Sequence, residues 1–76
     1  MNKDRRNRLT KAIEQLANAR TEIEAVKDEE EEALENLPES FQEGEQGEAM
    51  QQAIDLMQEA VGSLEEIESN LEEAQA

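Results

Sequence analysis

The sequence predicts an all-α chain folded as an antiparallel two-helix hairpin, and three observations carry that expectation. Apolar residues recur at alternating steps of three and four through two long stretches, the spacing that lines up one face of a helix. The only proline, Pro38, falls between the stretches, with Gly44 and Gly47 close behind it. All seven basic residues lie between Lys3 and Lys27, whereas residues 28–76 carry 17 Asp and Glu and no base. Opposite charges at the two ends of the chain favour antiparallel helices over parallel ones.

The first helix is expected over 3–37. Its apolar face reads Leu9, Ala12, Leu16, Ala19, Ile23, Val26, Ala33 and Leu37, interrupted by Glu30. Pro38 stops it, because a proline ring disfavours helical geometry in the residue before it and cannot donate to the ladder. Residues 38–47 form the connection. Ser40 and Glu43 have capping-box spacing for a short helical turn, and Gly44 or Gly47 is expected to supply a positive φ. Phe41, the only aromatic residue, is expected to close the end of the core. The second helix is expected over 48–75, with Met50, Ala53, Met57, Ala60, Leu64, Ile67, Leu71 and Ala74 in unbroken three–four alternation. Gly62-Ser63 is a place where this helix could kink.

In heptad terms these are a and d positions, and the d positions are mostly alanine, which suits close approach of two backbones. The neighbouring e residues Ile13, Leu34, Ile54 and Val61, with Leu56 at g, are expected to form a second apolar edge. A single domain of 76 residues offers a small core, and without Cys or His the usual disulfide and zinc staples are absent. The second edge therefore predicts a homodimer, two hairpins making a four-helix bundle.

Composition excludes several function classes. With no His, Cys, Tyr or Trp and five hydroxyl residues (Thr10, Thr21, Ser40, Ser63, Ser69), the chain is not expected to be an enzyme or to hold a cofactor. Its acids lack the alternating loop pattern of a calcium site, so no metal is expected. A net charge of −14 repels nucleic acid and anionic membrane, and the basic start has no accompanying aromatics, so neither is an expected partner. No apolar run reaches the roughly 18 residues of a membrane span, and no apolar stretch follows Arg5 and Arg6 as an export signal requires. A cytoplasmic protein is the expectation.

Lys3, Arg5, Arg6, Arg8 and Lys11 are expected to face Glu65, Glu66, Glu68, Glu72 and Glu73 across the hairpin. The acidic run Asp28, Glu29, Glu30, Glu31, Glu32, followed by Glu35, falls in the last turns of the first helix. There the helix dipole and like charges four residues apart both disfavour it. Selection for hairpin stability alone does not account for such a run. Its candidate role is to present carboxylates to a basic groove on another protein, with Glu65, Glu66, Glu68, Glu72 and Glu73 as a second set. Duplex DNA carries one charge per about 1.7 Å of axis, a density that a paired acidic bundle approaches. The alternative is an adaptor acting through its apolar face, with the charge serving solubility.

The stretch from Glu29 through Asn36-Leu-Pro-Glu-Ser-Phe-Gln-Glu-Gly-Glu-Gln-Gly-Glu-Ala-Met50, with Ser63-Leu-Glu-Glu-Ile-Glu-Ser-Asn-Leu-Glu-Glu-Ala74, resembles small acidic proteins of bacteriophages and prophages. That resemblance implies a bacterial cytosolic setting. It also implies an inhibitor of a host DNA-handling or defence enzyme, of the DNA-mimic type, as the class of function.

Overall fold

The computed structural model describes all 76 residues, and every regular element is helical. Helix α1 spans Lys3–Glu35, a one-turn helix α2 spans Glu39–Gln42, and α3 spans Glu45–Gln75. The molecule is a rod of 58 × 14 × 12 Å.

Asn2 starts α1: its backbone is extended and its side-chain oxygen accepts from the Arg5 N–H at 2.8 Å, satisfying one of the first turn's orphan donors. The far end of α1 is capped by Gln42. Its side-chain amide donates to the carbonyls of Leu37 at 2.7 Å and Glu35 at 3.3 Å. A neutral donor there compensates for the absence of any basic residue in the last turn of α1. The Ser40 capping box does not form, and Pro38 itself is the N-cap of α2, without a side-chain bond. No glycine has a positive φ. Gly44 is instead the extended N-cap of α3, which begins three residues before the expected start. Gly47 is needed for space: a Cβ there would lie 2.7 Å from the Gln42 Cα and closer still to its carbonyl. The chain α3–Gly47–Gln42–α1 is thus tied at one point. Phe41 does not close the core; it stands 55% exposed on α2. Helix α3 runs unbroken through Gly62.

Helices α1 and α3 pack along each other in opposite directions, with Thr10 bonded to Gln75 at 2.9 Å and Arg20 to Glu68 at 2.8 Å. The seam differs from the expected one by one position in every heptad. On α1 the seam runs through the half-buried Leu9, Ile13, Leu16, Arg20, Ile23, Lys27, Glu30, Leu34 and, just beyond, Leu37, with Ala12, Ala17, Glu24 and Glu31 half-buried along its edges. On α3 they run Gly47, Met50, Ile54, Met57, Val61, Leu64, Glu68, Leu71 and Gln75, with Ile54 and Val61 only 5% and 4% exposed. The expected a residues keep their place, whereas the alanines move to the edge of the seam, Ala12 and Ala53 half-buried and Ala19, Ala33, Ala60 and Ala74 exposed. Ile13, Leu34, Ile54 and Val61, assigned to an outer edge, replace them. A branched side chain buries two or three more carbons than alanine, at about 0.8 kcal/mol each, and this outweighs the closer approach that alanine permits.

The same rotation brings polar residues inward. Arg20, Lys27 and Glu30 lie in the seam of α1, and Glu68 in that of α3. It also moves two alanine-rich rows to one flank: Ala12, Ala19, Val26 and Ala33 on α1, and Ala53, Ala60, Ile67 and Ala74 on α3. The other flank and the back are polar.

Candidate acidic interface

The polar flank is built around one ionic group in the seam. The Arg20 guanidinium forks onto Glu68 through Nε (2.8 Å) and Nη2 (3.3 Å), while Nη1 reaches Glu24 at 3.0 Å. These bonds, Glu68 first and Glu24 second, hold the guanidinium even further above its ordinary value, so it stays charged at any pH the fold survives. One turn further along α1, Lys27 lays its stem over the seam and turns its ammonium outward to Glu31 at 3.2 Å and Asp28 at 3.3 Å. Its pKa is raised above 10.5, by the Glu31 hydrogen bond first and Asp28 second. Both cations are consumed by their own chain, so the shallow cleft that they line with Gln58, Val61 and Glu65 offers no free positive group.

The carboxylates are otherwise uncompensated. Asp4, Glu24, Asp28, Glu31 and Glu68 take part in ion pairs, leaving 16 of the 21 acids with none. The helical acids are segregated by face. Glu14, Glu24, Asp28, Glu31, Glu32 and Glu35 of α1, with Glu48, Asp55, Glu59, Glu65, Glu66, Glu72 and Glu73 of α3, lie on the polar flank or along the back, while Glu22 and Glu29, at g positions beside Val26, lie at the edge of the alanine-rich flank. The alanine-rich flank has no acid in its two rows.

The acids are also graded along the rod. Residues 28–48, which close the rod at the α1–α3 connection, hold ten acids and no base. The expected set Asp28, Glu29, Glu30, Glu31, Glu32 and Glu35 lies here, together with Glu39, Glu43, Glu45 and Glu48, which sequence reasoning left out although the unbroken charge across Pro38 pointed to them. Glu30 is half-buried in the seam, while Glu29, Glu32 and Glu35 are exposed. Glu65, Glu66, Glu72 and Glu73 are exposed but lie apart, level with residues 15–23 of α1. Glu68 is not part of any presented surface, being 8% exposed and committed to Arg20.

The basic start does not face Glu65–Glu73. Because Thr10 already meets Gln75, residues 3–8 run past the end of α3 and are fully exposed, and the one ion pair there is Arg8 with Asp4 of the same helix. Of the expected apolar edge, Leu56 alone remains outside, 57% exposed.

Such a surface accepts hydrogen bonds and ion pairs from Lys and Arg, and its carboxylates are not gathered in threes as a metal ion would need. No helix is long and apolar enough to cross a membrane. Comparisons with protein-family models, with curated proteins and with solved structures give no match to this chain.

Proposed function

We propose that this chain is a non-catalytic binding protein that sets its acidic face into a basic, nucleic-acid-binding surface of another protein. The observation that carries the reading is the segregation of charge. Thirteen acids share the polar flank and back, against Glu22 and Glu29 at the edge of the alanine-rich flank, and no base occurs beyond Lys27 to neutralise them. A surface held to hide a hairpin core or to keep it in solution needs no such sorting by face, whereas a ligand for a cationic groove does. A host DNA-handling or defence enzyme is the proposed target, the class that the resemblance of residues 29–50 and 63–74 to small acidic phage proteins implies.

The test is capture of binders from a bacterial lysate on the immobilised chain, washed at low and at high salt. A nucleic-acid enzyme held at low salt, released at high salt and displaced by duplex DNA is the expected result. Replacing Glu29, Glu32, Glu35 and Glu48 by Gln leaves the fold intact, since all four are exposed without ion pairs, and weakens capture. Salt-resistant capture that survives these four changes would overturn the reading.

A further inference from the structure

We infer that the outer face of α3 on the alanine-rich flank, a row without charge, is a self-complementary surface on which a second copy of the chain docks antiparallel, about a two-fold axis level with Val61 and Gly62. The flank carries three of the five large apolar side chains that stand exposed: Val26 at 46%, Leu56 at 57% and Ile67 at 44%. The other two, Met1 and Phe41, lie at the ends of the rod.

Along α3 this surface is a second heptad row, distinct from the seam, running from Ala49 to Ala74 in steps of four and three. Its order is what identifies the occupant. Reversed about the stated axis, the row matches itself: Leu56 meets Ile67 of the second copy, Ala60 meets Ser63, and Ala49 meets Ala74. Large side chains oppose large ones, and small oppose small, with the smallest pair beside the axis where the two backbones come closest. The remaining layer sets Ala53 against Asn70, next to solvent. An isologous contact requires such reciprocity, which a row shaped for an unrelated partner does not. The Arg20–Glu68 register places Val26 of α1 level with Gly62, so the valines of both copies flank the axis, each bracketed by Glu22 and Glu29 of its own helix.

Charge at the ends of the rod favours the same arrangement, although Glu22 of one copy and Glu29 of the other oppose it near the axis. The axis falls near the middle of the rod, so antiparallel copies overlap over its length. The basic segment Lys3–Lys11, which meets no carboxylate of α3, then lies level with Glu39, Glu43 and Glu45 of the other copy. A parallel pair would set the two ten-acid ends side by side. Residues 49–74 span about 38 Å at 1.5 Å per residue. With the 14 Å width of the rod, two copies cover about 1,000 Å² in all, the lower bound for a specific interface.

Sedimentation equilibrium of the whole chain at micromolar concentration tests this. A mass of twice 8.6 kDa is expected. Leu56→Lys or Ile67→Glu alone raises the dimer dissociation constant at least about tenfold, with helix content unchanged because both side chains are exposed in the single chain. The double variant Leu56→Lys/Ile67→Glu sets opposite charges across each reciprocal layer and associates more tightly than either single. A mass of 8.6 kDa throughout the range would overturn the proposal, as would a dimer indifferent to Leu56→Lys or a double variant weaker than both singles. Glu32→Gln and Glu35→Gln leave the mass unchanged whatever they do to target capture, so the two proposals succeed or fail separately.

Discussion

Gly47 and Gly62 show how one residue type takes opposite roles a few turns apart. At Gly47 the backbone of Gln42 occupies the space of a Cβ, and Gln42 in turn caps α1. Gly47→Ala therefore forces apart the connection and is expected to lower unfolding stability by about 1–3 kcal/mol in chemical denaturation. At Gly62 a Cβ meets nothing within 4 Å, so Gly62→Ala keeps every contact and gains helix propensity, raising stability by about 1 kcal/mol. Lys27 gives a pH signature of definite sign. Its folded pKa lies above the unfolded value of 10.5, so its pairing with Glu31 and Asp28 stabilises the fold fully below pH 10.5 and is lost as pH rises through the higher folded value. Thermal melts at rising alkaline pH should show a decline above that point, and Lys27→Met should shrink it.

At the scale of the helix pair, the ionic contact in the seam sets the alignment of α1 on α3. Sliding by a heptad one way would place the Arg20 guanidinium against Val61 and Glu68 against Ile13; sliding the other way would set Arg20 against Gln75 and draw Lys27 from Glu31 and Asp28 to Glu68. Arg20→Leu leaves the buried Glu68 without a cation and Glu68→Leu leaves the half-buried Arg20 with Glu24 alone, so either change lowers the thermal midpoint, the first by more. The double Leu variant recovers to the parent value or above. The two long helices, the break at Pro38 and half the seam were legible in the sequence, because the a residues Leu9, Leu16, Met57, Leu64 and their neighbours are apolar in any register. The other half was not. Choosing alanine over Ile13, Ile54 and Val61 kept Arg20, Lys27 and Glu68 out of the seam, and pairwise pattern reasoning cannot weigh a buried fork between residues 48 positions apart. The acidic run was visible directly, but its merging with Glu39–Glu48 depends on the path of the connection. The charge-free outer row of α3 became visible only once the seam had been placed on larger residues.

The whole rod carries −14 over 58 Å, one net charge per about 4 Å, well below duplex DNA at about 1.7 Å. Two overlapping copies would carry −28 over a similar length, one per about 2 Å, so resemblance to a duplex belongs to the dimer rather than to the chain. Self-repulsion of this size opposes both folding and association, and salt screens it. Raising sodium chloride should therefore raise the melting temperature, in contrast to the weakening it brings to target capture. The grading of charge along the rod has a further effect. A single chain is an electric dipole along its axis, negative where Pro38 closes it and close to neutral at the termini, and in a field it turns that end forward. In an antiparallel pair the two-fold axis cancels the longitudinal component. A chain that dimerises this way loses its polarity, and transient electric birefringence would register the loss as the disappearance of permanent-dipole orientation.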